Sequence, residues 1–173
     1  MDNLSKLGFL AAEHIFNACT DLQSAPDCTP ITSRREPVEP REDIAVICFN
    51  RSASLDIDTQ YQKTIQDNDN YFPSPSLFVY TLPNIAAGEI AIRNKFLGET
   101  SFYVTEEFDA GQMVETVENA FSDTSINAVL LAWIECFERK VEVFMCLVDR
   151  NSKKSCIFTE ENLKYLAINI KFA

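Results

Sequence analysis

The chain has 173 residues, of which 46% are hydrophobic and 24% charged, the balance of an ordinary globular protein with a buried core. Its formal net charge of −11 argues against nucleic acid as a partner, because phosphate binding depends on clustered Lys and Arg, and it disfavours docking on anionic membranes. No apolar stretch approaches the roughly 18 residues that a membrane helix needs, so we expect one domain over residues 1–173 without a membrane insertion.

The first predicted element is a helix over residues 4–22, where apolar side chains recur at helical spacing. Residues 25–42 hold four prolines among charged residues, which predicts a loop. Residues 44–49 (IAVICF) are continuously apolar and rich in β-branched side chains, the pattern of a strand buried on both faces. A short helix over 58–67 and a helical turn over 76–81 follow.

The next predicted helix begins at the pair Pro83-Asn84 and extends to about Phe96. The side chains on one side of this helix are Ile85, Gly88, Ile92 and Phe96. Residues 101–105 are predicted to form a strand. Asp109 is a candidate N-cap for a helix over 110–121, with Gln112 three residues later as its capping-box partner.

Two further apolar runs, residues 127–134 and 141–148, predict two more strands. Their short connection favours an antiparallel hairpin, since a parallel crossover needs a dozen or more residues. A helix over 159–166 and an edge strand over 166–172, where Leu, Ile, Ile and Phe alternate, complete the chain. The order predicts an α/β fold of three layers, α-β-α, with a mostly parallel mixed sheet of about five strands.

The six cysteines contain no CxxC pair, so we expect neither a metal site nor a cofactor held by thiolates. Cys48 and Cys146 lie within strand-like runs, where a thiol behaves as a small buried hydrophobe. The N-terminus has no basic region followed by a long apolar run, as a signal peptide would. Together these features predict a reduced, cytoplasmic setting.

The stretch from Leu77 to Gly111, LFVYTLPNIAAGEIAIRNKFLGETSFYVTEEFDAG, resembles the substrate-channel helix and nucleophile turn of the β-ketoacyl synthases. These enzymes of the thiolase-like superfamily condense acyl thioesters in fatty-acid and polyketide synthesis. In the family a Pro-Asn pair opens a long helix, a Gly closes its loop, and a short strand ends in Thr-Ala-Cys. Here Pro83-Asn84, Gly98 and Val104-Thr105 fall in register, and the position of the reactive cysteine is occupied by Glu107, or by Glu106 if the register shifts by one.

The resemblance extends over the chain as the N-terminal half of a ketosynthase. Residues 44–49 resemble the first sheet strand of that half. Residues 127–135 resemble the strand that ends in Gly-Gly-Ala-Glu in the family, here Ala-Trp-Ile-Glu135. The second half would supply two histidines for decarboxylation, whereas the single histidine of this chain is His14 on the first predicted helix.

The resemblance implies a scaffold without the condensing nucleophile, a pseudoenzyme. It assigns an acyl-channel helix to Pro83, Asn84, Gly88 and Ile92. It also assigns a dimer interface to the strand before the nucleophile position, formed by Ser101, Phe102, Tyr103, Val104 and Thr105. Trp133, Phe102 and Tyr103 are either interface anchors or core residues of the monomer.

The function implied is that of a non-catalytic dimer partner, bound to itself or to a condensing enzyme (a ketosynthase), in bacterial fatty-acid, polyketide or aryl-polyene-type synthesis. Acyl carrier proteins are acidic, and their partners usually offer a basic patch. The only compact basic clusters of this sequence are Arg34-Arg35 and Lys153-Lys154, so we expect a carrier protein to be engaged only indirectly. Two alternatives stay open: a decarboxylase or hydrolase of malonyl or acyl thioesters that depends on Glu107, and a module that binds an acyl chain or another apolar ligand.

Several residues also have simpler structural interpretations. Glu106 and Glu107 are suited to stabilising a helix N-terminus through the helix dipole. Gly88 is favoured as a close-packing position and His14 as a structural residue. The aspartates at 56, 58, 67 and 69 are typical of a solvated loop, and the serines of NRSAS (Ser52 and Ser54) lack the G-x-S-x-G pattern of a hydrolase.

Overall fold

The computed structural model describes residues 1–21, 39–69, 71–138, 140–151 and 157–170. Most of the predicted 25–42 loop and both basic clusters lie outside these residues. The helices and strands, in chain order, are α1 (Asn3–Asp21), β1 (Ile44–Asn50), α2 (Leu55–Gln62), α3 (Pro75–Tyr80), α4 (Ile85–Asn94), β2 (Thr100–Val104), α5 (Ala110–Ser122), β3 (Ala128–Phe137), β4 (Lys140–Asp149) and α6 (Glu160–Ile170).

The strands form one mixed sheet in the order β2-β1-β3-β4. β1 is parallel to both of its neighbours, while β3 and β4 pair antiparallel as the predicted hairpin. The described residues thus form four strands instead of about five. The edge strand predicted over 166–172 is wrong, because residues up to Ile170 belong to α6.

Helices cover both faces of this sheet. Every residue of β1 is buried, and its side chains alternate between two apolar clusters, as predicted for a strand enclosed on both sides. The first cluster joins the sheet to α1 and α4, and the second joins it to α5 and α6. The predicted three-layer α-β-α architecture is confirmed.

Charged side chains tie together the end of the sheet where β1 begins. Arg41 donates two hydrogen bonds to Asp43, at 2.7 and 2.9 Å, and Asn127 donates a third to the same carboxylate. The bonds from Arg41 are the main reason that the pKa of Asp43 falls from its ordinary value near 3.8 to about 2. Nearby, Arg150 donates to the carbonyl oxygens of Phe121, Asp123 and Ile126 and so closes the C-terminal end of α5.

Gly98 is needed where the chain enters β2. A Cβ built on Gly98 would clash with the carbonyl oxygen of Ile44 and would approach that of Glu42 to 2.9 Å. Only glycine lets the two backbones come this close. Glycine at position 98, one of the residues that carry the resemblance, is therefore explained by the close approach of two backbone segments.

Candidate functional site

The segment that carries the resemblance passes from α4 on one face of the sheet, through the strand β2, to the start of α5 on the other face. β2 forms one edge of the sheet, and among the described residues no strand other than β1 pairs with it. All five predicted interface residues, 101–105, lie on or directly after this edge strand.

The backbone of β2 has an inner and an outer set of polar groups. Val46 N donates to Glu99 O at 2.8 Å, and Thr105 N donates to Asn50 O at 2.9 Å. In a parallel ladder every second residue of a strand bonds to a given neighbour, so the backbone N–H and C=O groups of the odd-numbered residues of β2 point towards β1. The N–H and C=O groups of residues 100, 102 and 104 therefore point away from the sheet.

The side chains of β2 divide between the two faces and the surface. Phe102 packs against the α1–α4 cluster, whereas Tyr103 stacks on the buried ring of Phe49 with centroids 4.9 Å apart. Val104 is exposed over 54% of its surface. Trp133 is buried in the monomer, where its indole N–H donates to Glu142, so of its two interpretations the structure bears out the core one.

The helix with the predicted channel residues turns one face inwards and another outwards. Ala86, Ala87, Ile90 and Ala91 form the buried face of α4. Ile92 is 78% exposed, and a Cβ on Gly88 would meet no atom within 4 Å. The close-packing explanation of Gly88 is therefore wrong: Gly88 and Ile92 lie on the side of α4 that the described residues leave open, beyond the helix-opening pair Pro83-Asn84.

Glu107 lies on the turn between β2 and α5. Its side chain is exposed, as is that of Glu106, and the Thr105 hydroxyl donates to the Glu107 carbonyl oxygen at 2.9 Å. The first turn of α5 holds no acidic side chain. Asp109 caps this helix by accepting from Gln112 N at 3.0 Å, as predicted, so the suggestion that Glu106 and Glu107 stabilise the helix start is not needed.

A buried carboxylate joins the ends of β1 and β3. Glu135 is fully buried and accepts hydrogen bonds from Arg51 N at 2.8 Å, from Ser52 N at 3.1 Å and from the Ser52 hydroxyl. The neighbouring Asn50 side chain is also buried and exchanges two hydrogen bonds with the backbone of Ala53. The side chains of Ser52 and Asn50 thus stabilise the turn between β1 and α2. From the sequence, Glu135 was identified only as the last residue of the strand that resembles the family, and its buried hydrogen bonds were not predicted.

Hollows on the described surface lie away from the predicted channel residues. One of about 320 Å³ lies between β2 and α5 and is lined by Tyr103, Glu99 and Glu115 among others. Another, of about 390 Å³, runs along α2. Neither is lined by Glu107 or by a residue of α4.

Other candidate chemistry is dispersed. His14 is an exposed side chain of α1. Cys48 is a free thiol at the centre of the sheet, and burial raises its pKa to about 12, so it is not a ready nucleophile. Among the described residues no three His, Cys, Asp or Glu side chains group as metal ligands do, and no helix there is long and apolar enough to cross a membrane.

Solved structures resemble this arrangement. The ishigamide ketosynthase/chain length factor matches with a TM-score of 0.62 and 17% identity, over 79% of this chain and 35% of that chain. The ketosynthase ApeO in complex with its chain length factor ApeC, from Xenorhabdus doucetiae, matches with a TM-score of 0.53 and 15% identity, over 81% of this chain and 65% of that chain. The chain has the ketosynthase-type fold.

The resemblance predicted from residues 77–111 is thereby confirmed at the level of the fold. This chain spans about a third of the length of the first solved structure and under two thirds of the second. No protein-family model matches the chain, and no curated protein matches it. Within the ketosynthase-type fold, the open face of α4, the outer edge of β2 and Glu107 follow one another along the chain.

Proposed function

We propose that this chain is a non-catalytic, ketosynthase-like partner that binds a condensing enzyme in polyketide or aryl-polyene-type synthesis. The fold is shared with solved structures of ketosynthases and chain length factors, and one of these is a complex of the two. The observation that carries the proposal is the outer edge of β2, with its outward-pointing backbone groups.

An edge strand of this kind favours association. Unpaired N–H and C=O groups form a template for another strand, and proteins that avoid such pairing commonly place Lys or Pro on the edge. The sequence of β2, TSFYV, contains neither. Val104 adds exposed apolar surface beside the outward groups. We therefore place the partner's own edge strand along residues 100–104.

The partner would also complete an acyl channel. Gly88 and Ile92 form an open, uncharged stretch on α4, which suits contact with an alkyl or polyene chain held between two subunits. The nucleophile and the carrier-docking surface then belong to the condensing enzyme, because Glu107 cannot carry an acyl thioester and a chain of net charge −11 repels an acidic carrier protein. The free thiols of Cys48, Cys136 and Cys146 suit the reducing cytoplasm.

The first test replaces Val104 by proline. Proline removes an N–H that points away from β1, so the monomer keeps its ladder while the intermolecular one is broken. We expect the complex with the condensing enzyme encoded nearest to this chain to weaken about tenfold or more, as loss of a buried hydrogen bond and steric mismatch imply. Light scattering of the mixed proteins measures the complex.

Val104→Thr is the matched control, since it keeps the N–H and the β-branched shape. It should bind like the wild type, and circular dichroism should show the same fold and melting temperature for the wild type and both variants. A proline variant that is folded and still forms the full complex would rule out pairing through β2. Absence of a complex with the wild-type chain would overturn the proposed function itself.

A further inference from the structure

A second exposed apolar surface lies on the segment between β1 and α4. We call residues 55–82 the α2–α3 arm; residue 70 is not among those described. None of the residues of α3 is buried. Its apolar side chains Pro75, Phe78 and Val79 nevertheless recur at the i, i+3, i+4 spacing that marks a buried helix face, and Leu82 follows just after the helix.

Two aromatic residues just before α3 extend this surface. Phe72 is 75% exposed, Tyr71 57% and Phe78 54%. Phe72 N donates to Thr64 O at 3.0 Å, and the Phe78 ring lies 5.6 Å from that of Tyr61. Both parts of the surface therefore meet at the C-terminal end of α2.

The exposed area matches that of the largest apolar patch on a typical monomer, a patch that is often functional. With about 200 Å² for a whole aromatic side chain, the three exposed rings alone present roughly 350 Å². Val79 and Leu82 are about half exposed and add to it. The largest apolar patch on a typical monomer covers about 300–600 Å², so this surface reaches the size that marks an interaction site.

The surface is held in place before any partner arrives. The Ser54 hydroxyl donates to Thr81 O at 2.7 Å, and the Tyr80 hydroxyl donates to Glu89 on α4 at 3.0 Å. The Ser74 hydroxyl accepts from Leu77 N at the start of α3. A fixed apolar stripe loses little conformational entropy on binding, which favours a specific partner over adventitious contact.

Charge decides what kind of partner fits. The α2–α3 arm carries four aspartates, at 56, 58, 67 and 69, against a single lysine, Lys63, and the exposed Asp67 and Asp69 come just before Tyr71 and Phe72 in the chain. Two such acidic arms on chains that each carry a net charge of −11 would repel one another. A groove that is apolar at its centre and has Lys or Arg at its rim is complementary to this surface.

We infer that the α2–α3 arm docks into an apolar, basic-rimmed groove on a different protein, and not on a second copy of this chain. The inference rests on the proposed function, in which that protein is the condensing enzyme. The complex then has two contact areas, the β2 edge and the arm. Because the arm fits a different protein and not a second copy of this chain, the complex is a heterodimer.

The test measures binding of the condensing enzyme encoded nearest to this chain by calorimetry, with the double variant Phe72→Ser/Phe78→Ser. Truncating two central aromatic anchors should weaken binding about tenfold or more. The matched control, Leu10→Ser/Ile157→Ser, removes two exposed apolar side chains outside the arm and should bind within about twofold of the wild type, as near-neutral surface positions do. Asp67→Asn/Asp69→Asn should slow association several-fold at low salt, with the difference fading at high salt.

Each other outcome contradicts a separate claim. If the Phe72→Ser/Phe78→Ser variant binds as tightly as the wild type, the arm is not a docking surface, while the wild-type complex still supports the proposed function. If the wild type binds no condensing enzyme, the proposed function and the inference both fail. If light scattering shows that the chain alone dimerises and that the double variant restores the monomer, the arm binds a second copy of this chain. The inference that it binds a different protein is then wrong.

Discussion

At the scale of single residues, Glu135 shows what a sequence alone hides. A fully buried carboxylate is costly unless hydrogen bonds replace its hydration, and here two backbone N–H groups and one hydroxyl do so. The residue was visible as the one charge that ends the apolar run 128–135, but its donors come from 83 and 84 residues earlier in the chain. No local pattern predicts a contact of that separation.

Replacing Glu135 tests this role. Glu135→Ala should lower the free energy of unfolding by about 2–4 kcal/mol, because three donors lose a buried charged acceptor. Glu135→Gln should cost about 1 kcal/mol, since the amide oxygen still accepts from the two N–H groups and the Ser52 hydroxyl can turn to accept from the amide. Urea unfolding measures both. An alanine variant as stable as the glutamine variant would show that the hydrogen bonds contribute little.

At the scale of elements, the sequence predicts strands that burial on both faces makes apolar throughout. It fails where a segment fits both the strand and the helix pattern. The strands predicted over 44–49, 127–134 and 141–148 are predominantly apolar runs, so their existence and the hairpin were predictable. Residues 166–170 alternate like a strand but belong to α6, because Leu163 and Ala167, four residues apart, both enter the α5–α6 cluster. The open face of α4 was equally hidden, since helical spacing does not say which of two apolar faces turns inwards.

Gly88, inside α4, and Gly98, just before β2, give an opposed pair of substitutions. Gly88→Ala should stabilise the protein by about 0.5–1 kcal/mol, because alanine is the better helix former and its methyl group meets open space. Gly98→Ala should destabilise it by about 2 kcal/mol or more, because its methyl group meets the backbone carbonyls of β1 and its approach. Thermal unfolding at equal concentration measures both.

A destabilising effect of Gly88→Ala would contradict the open face of α4 and would require a contact that fills the space beside Gly88. A neutral Gly98→Ala would mean that the backbone entering β2 relaxes freely. The first result would remove the basis for Gly88 as an open channel residue, and the second would remove the physical reason for glycine at position 98.

At the scale of the whole molecule, both faces of the sheet are covered by helices of this chain. α1 and α4 close one face, and α5 and α6 close the other. The outward side of α5 is polar, with exposed side chains at Gln112, Glu115, Glu118 and Asn119. A helix that packed against a further protein layer through that side would need apolar residues there, so α5 does not offer such a contact.

This closure predicts that the chain folds alone, although it spans only part of the solved structures that it resembles. Urea should unfold the isolated chain in a single cooperative transition, with the same midpoint over about a hundredfold range of protein concentration. Fluorescence of Trp133, buried between β3 and its helices, reports the core, and far-ultraviolet dichroism reports the helices. Coincident curves would mean that the partner adds an interface to a finished domain. A midpoint that rises with concentration would mean instead that folding requires association, so that a further protein layer is supplied by another subunit.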